Sequence, residues 1–159
     1  MLPSHEKYLM CVMVACLYEH ECNRNIFDSF ISVCALVINL SFETHAKTGV
    51  NFFDLNPDII MVFYRNVLKR SFHRRRGFYR FVEYVLGHKY LTWNRNYLIL
   101  SDDPTAPNFI ELVLDENIMA ELNGYVPQEV SNDMKVTMEA TGICLAQEVL
   151  STTSVELPT

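Results

Sequence analysis

The chain is expected to fold as a single all-α domain, and three observations predict this. Apolar residues recur at the 3.6-residue spacing of a helix along most of the 159 residues. Glycine and proline are scarce, at 5 and 6, too few for a turn-rich β fold. Apolar residues make up 50% and charged residues 20%, enough to build one core and to exclude a disordered chain. The expected organisation is a bundle of six or seven helices over residues 1–150, followed by a flexible tail at 151–159.

The first helix is predicted at about 6–20. Leu9, Val12, Met13, Cys16 and Leu17 form its stripe, and Met10 and Val14 make it apolar nearly all round, so it should be buried on more than one side. The second is predicted at about 26–45. Asn23 or Asn25 would cap it, Phe27, Phe30, Ile31, Cys34, Val37 and Ile38 would face inward, and Gly49 would stop it. A short segment then carries Phe52 and Phe53. Asn56-Pro57-Asp58 supplies a cap, a first-turn proline and a first-turn acid for a helix at about 57–73, with Ile60, Phe63, Tyr64, Val67 and Leu68 on one face.

Gly77 separates that helix from the next, at about 78–92, where Phe78, Phe81, Val82 and Val85 should face inward. Gly87 inside it costs about 1 kcal/mol against alanine. Residues 97–100 have strand composition, but in a helical chain they are better placed in a loop or helix end. A helix at about 107–122 ends before Gly124, and a last one at about 131–150 is capped by Ser131 and interrupted in its pattern by Gly142. The first helix and the stretch 78–90 are apolar on most sides. Such helices belong in the middle of others, which predicts a globular bundle around a central apolar helix.

Several function classes are disfavoured. No uncharged apolar stretch reaches the roughly 18 residues of a membrane span, and no signal-peptidase pattern follows Ala15–Leu17. Five cysteines is an odd number without a small-scaffold spacing, which fits a reducing compartment. Cys11, Cys16 and Cys22 do not have zinc-ligand spacing, and Cys11 and Cys16 belong with the core of the first helix. The histidines are scattered, no thiol is paired with one, and there is no Gly-rich phosphate loop or nucleophile elbow. The expectation is a non-enzyme without metal or cofactor.

Charge is concentrated. Between Arg65 and Arg80 lie seven basic residues and no acid, whereas the rest of the chain sets six basic residues against all 19 acids. A nucleic-acid binder would carry a basic footprint over the whole domain, so no nucleic-acid partner is expected. Arg80 stands one turn into an apolar helix, between Tyr79 and Phe81, where a guanidinium could take a carboxylate in bidentate fashion at the edge of an apolar cleft.

These residues also carry a resemblance. The run from Val67 through Leu68, Lys69, Arg70, Ser71, Phe72, His73, Arg74, Arg75, Arg76, Gly77, Phe78, Tyr79, Arg80, Phe81, Val82, Glu83 and Tyr84 to Val85 resembles the first homology region of the Bcl-2 family. There a helix ends in an apolar pair, turns, and continues as Asn-Trp-Gly-Arg into a central apolar helix. Without gaps, Ser71-Phe72 fall on the apolar pair, Gly77 on the Asn, Phe78 on the Trp, Tyr79 on the Gly and Arg80 on the Arg. The helix order over residues 5–122 is similar to the family's bundle. The departures are Tyr79 for the family's Gly, Gln128 where a Trp would follow Pro127, no Leu-x3-Gly-Asp pattern in the second helix, and no C-terminal membrane anchor. Such short, divergent members resemble those encoded by large DNA viruses.

The resemblance implies an inhibitor of apoptosis that sequesters the BH3 helix of a pro-apoptotic protein, a BH3-only protein of the Bim type above all, in a surface groove. Arg80 would pair with the BH3 aspartate. Phe42, Phe52, Phe53, Phe63, Val67, Phe72 and Tyr84 would form cleft walls and floor, and Tyr79 would narrow the range of peptides accepted. An anchorless protein with such a cleft is expected in the host cytoplasm, at most peripheral at mitochondria, and able to form a homodimer through the groove surface. A virus-encoded module of the same fold that blocks another host signalling pathway is the alternative.

Overall fold

The computed structural model describes residues 4–86 and 129–156, and within them the chain is helical with no strand. Helix α1 spans His5–Cys22. Its Ser4 side chain accepts the Lys7 N–H at one end, and Asn23 closes the other by donating to the Glu19 carbonyl at 2.8 Å. Leu9, Met13 and Cys16 have no exposed surface, because α1 packs against the next two helices and the last one. Its apolar circumference is thus used on several sides, as the sequence predicts. Cys16 and Cys22 are buried, but Cys11 is exposed and does not join the core expected for it.

Helix α2 spans Ile26–Thr48. Asn25 is its cap, accepting the N–H groups of Phe27 and Asp28, and Gly49 ends it in the left-handed region at φ 75°. Its buried stripe is Phe27, Ser29, Val33, Val37 and Ser41. Both buried serines are satisfied: Ser29 Oγ shares a 2.7 Å hydrogen bond with His20 Nδ1, and Ser41 Oγ donates to the Ile38 carbonyl and accepts from Asn56 Nδ2. By length and mean hydropathy α2 is a helix that could cross a membrane. Asp28 and Glu43 interrupt its apolar run, so the sequence shows no uncharged stretch of that length. In the fold the stripe of α2 lies on α1 and α3.

A 3₁₀ turn, Phe53–Leu55, leads into α3, Asn56–Phe63. A π-helical segment, Tyr64–Leu68, and helix α4, Lys69–Arg74, continue it without a break. The sequence predicts one regular helix here. The wide turn coincides with Asn66, whose Nδ2 donates to the Val62 carbonyl and competes with the regular ladder. The same Asn66 and Arg65 grip Glu148 of the last helix, at 2.8 and 2.5 Å.

Arg76 and Gly77 both have positive φ, 69° and 63°, and turn the chain into α5, Gly77–Leu86. α6 spans Asn132–Glu156, starts from a Ser131 cap and runs beyond the helix end expected at Leu150. Gly142 is where α6 touches α1. A Cβ there would lie 2.7 Å from Val14 Cγ2, so the residue that weakened the helical pattern is the one the packing requires.

One expectation about α5 needs correction. Phe81, Tyr84 and Val85 are half-buried, but Phe78 and Val82, predicted to face inward, are about half exposed, and no residue of α5 is fully buried. The helix lays one flank on α4 and α2. Among the described residues nothing packs on the opposite flank, and the central position predicted for this helix is not seen there. The readings at 97–100 and 107–122, and those of Gly87 and Gln128, lie outside the described residues.

Candidate functional site

The α4–α5 hairpin is fastened by aromatic rings. Phe72, fully buried, meets Phe27 and Phe30 of α2, Tyr64 of the π segment, and Phe78 and Phe81 of α5, with centroids between 4.9 and 5.5 Å. These distances suit edge-to-face and tilted packing, and the cluster fixes where α5 begins relative to α2. Tyr84 adds a polar tie: its hydroxyl donates to Asp28 Oδ1 at 2.7 Å. Asp28 sits in the first turn of α2, where a carboxylate is favoured by the helix dipole.

Against this cluster opens a pocket of about 410 Å³. Asn25 and Phe27 line it from the start of α2, Arg74 from the end of α4, Arg75 and Arg76 from the turn, and Arg80 and Tyr84 from α5. Arg80 is more than half exposed, and its Nη1 donates to Glu83 Oε2 at 2.8 Å. A solvated i,i+3 pair of this kind contributes well under about 1 kcal/mol, so the guanidinium is easily released to another carboxylate. Chemically the pocket offers fork donors around a ring floor, suited to a carboxylate carried on a partly apolar ligand.

The residues singled out from the sequence fall into separate places. Arg80 and Tyr84 share the pocket, and Phe72 lies beneath it. Tyr79 is 76% exposed and is not among the pocket residues. Val67 is half-buried in the π segment. Phe52, Phe63 and Phe72 are core side chains with at most 1% exposure, so in this arrangement they do not line an open cleft. Phe52 stacks on Tyr8 at 4.1 Å, and Phe63 meets the edge of His20. Phe42, 60% exposed, packs on half-buried Phe53 at 4.8 Å. Phe42 lies fifteen residues along α2 from Phe27, about 22 Å by helical rise, so the Phe42–Phe53 pair and the arginine pocket occupy opposite ends of α2.

Two features of the surface carry no signal in the sequence. Asn25 and Phe27 were legible only as a cap and a core residue, and their place beside the arginines depends on the α4–α5 turn. A larger hollow of about 700 Å³ lies between α1 and the first half of α6, walled by Met10, Val14, Tyr18, Val130, Met138 and Ile143. Its residues carry ordinary core spacing and no signal that would separate them from the interior. No protein-family model, curated protein or solved structure matches this chain.

Proposed function

We propose that this protein is a Bcl-2-like inhibitor of apoptosis that binds the BH3 helix of a pro-apoptotic protein, with Arg80 taking the helix's aspartate. The observation that carries the reading is the half-exposed Arg80 guanidinium at the rim of a pocket floored by Phe27 and Tyr84. The run from Val67 to Val85 supplies the rest: helix, tight turn at Gly77, and a second helix with arginine in its first turn. Phe78, Tyr79, Val82 and Leu86 leave an exposed apolar strip along α5 against which a helix could lie, or through which two copies could associate.

Calorimetric titration of the full chain with a BH3 peptide, beside the same peptide with its Asp changed to Ala, tests the proposal. Micromolar or tighter binding that the Asp→Ala peptide loses by at least about tenfold supports it. Absence of binding by both peptides overturns it.

The alternative, a module of this kind directed at another host signalling protein, is favoured by the burial of Phe52, Phe63 and Phe72. A pocket lined mainly by arginines selects an acidic surface more readily than a row of four apolar anchors. Failure of BH3 binding with retained binding of an unrelated acidic helix would favour it.

A further inference from the structure

Beside the Arg80 pocket lies a second hollow of about 280 Å³, lined by His20, Asn23, Arg24, Ile26, Ser71 and the same Arg74 and Arg75. The two hollows adjoin across that shared pair of arginines. Ion pairs engage Arg65 and Arg80, but among the described residues Arg24, Arg74, Arg75 and Arg76 have no carboxylate partner. Of the acids closest to them in the chain, Asp28 accepts the Tyr84 hydroxyl and Glu19 accepts the Ser32 hydroxyl, while exposed Glu21, whose charge acts on His20, forms no ion pair with any of the four arginines.

Concentrating three guanidinium groups around one small hollow costs self-repulsion, and an anion relieves it. The charge calls for more than a single carboxylate. Arginine forks match the tetrahedral oxygens of a phosphate, whereas lysines would act as point charges. Ser71 adds a hydroxyl donor on the same wall. We propose that this second hollow is a phosphate-monoester site, filled by a phosphorylated side chain of a protein partner, with Arg24, Arg74 and Arg75 as donors. A protein partner is favoured over a lipid surface because the donors line a recess between α1, α2 and α4 rather than a flat face. The chain around the basic segment is also strongly acidic, which a negatively charged bilayer would repel. The site adjoins the proposed helix-binding pocket and does not depend on that reading.

The test uses the full chain and a fluorescein-labelled alanine-rich peptide carrying one phosphoserine, followed by anisotropy beside its unphosphorylated twin. Because the probe carries no BH3 sequence, its result is independent of BH3 binding. The phosphopeptide should bind at least about tenfold tighter than the twin. Arg75→Lys, which keeps the charge and loses the fork, should weaken it about fivefold or more, while Arg70→Lys, exposed on α4 outside both hollows, should change it less than about twofold. Unchanged helical circular dichroism would show that both variants fold. Equal binding of the two peptides overturns the site, and equal losses from the two lysine variants reduce it to diffuse charge, which also overturns it. Binding to phosphatidylcholine vesicles doped with phosphatidic acid, without binding to the phosphopeptide, overturns the assignment to a protein partner.

Discussion

At the scale of single residues, the arginine at position 80 and the histidine at position 20 show how environment decides role. Among the described residues Arg80 is held only by a solvated pair with Glu83, so it is available. A partner helix that covers it would remove water from the new pair, and removing one side of a desolvated pair is costly. Arg80→Ala should therefore weaken BH3 peptide binding by about 2 kcal/mol or more, read by calorimetry, and a change below about 0.5 kcal/mol would mean that Arg80 is not the anchor. Tyr84→Phe removes the hydrogen bond to half-buried Asp28 and should lower stability by about 1 kcal/mol in urea unfolding. His20 is different in kind. Burial lowers its pKa, Glu21 opposing, while Ser29 holds the ring. The folded state therefore binds its proton less readily than the unfolded chain, whose histidine titrates near about 6.5. The stabilising contribution is complete above that pH and is lost as pH falls toward the folded-state value. The urea midpoint should drop on acidification from about pH 7.5 to 5.5, and His20→Gln should flatten that slope. An equally steep slope in the variant would assign the effect to other groups.

At the scale of elements, much of the bundle was legible and the reasons for the misses are physical. The starts of α2 and α6 follow from Asn25, one of two candidate caps, and from Ser131, and Gly49 marks the end of α2, because caps and left-handed stops are local signals; the Ser4 cap of α1 shows only in the structure. The π segment at Tyr64–Leu68 could not be read, since nothing in the apolar spacing shows that the Asn66 side chain takes the Val62 carbonyl, and the contacts of Asn66 and Arg65 with Glu148 lie more than eighty residues away in the chain. The candidate site was half legible. The arginine run and Arg80 stand out in the sequence, but whether an aromatic residue is floor or core depends on partners the sequence does not order. Phe63 and Phe72 therefore proved to be interior. Gly142 is the clearest reversal: unfavourable by propensity, it is demanded by the approach of α6 to α1. Gly142→Ala would gain helix propensity yet press on Val14, and Gly142→Val would add two more methyl groups to the same contact. The valine variant should cost about 1–3 kcal/mol in thermal or urea unfolding, more than the alanine variant. A neutral valine would mean that the two helices are free to separate at that point.

At the scale of the whole molecule, the decisive property is a basic face on an acidic body. Net charge is −6, yet the α4–α5 turn gathers Arg74, Arg75, Arg76 and Arg80 around one pocket. Such a distribution steers acidic ligands to one side of the domain and turns acidic surfaces away from the rest. The arginines are exposed, so their field reaches about 10 Å at 0.1 M salt and shrinks as salt rises. The core is held by apolar burial around Leu9, Met13, Val37, Ile59 and Phe63, to which screening is nearly indifferent. Raising sodium chloride from about 50 to 300 mM should therefore weaken an acidic helical peptide about fivefold or more, mainly through slower association, while the unfolding midpoint moves little. Stopped-flow association beside urea titrations at both salt concentrations separates the two effects. If association rates were insensitive to salt, the arginine face would not be where the acidic partner lands, and the apolar hollow between α1 and α6 would become the first surface to probe.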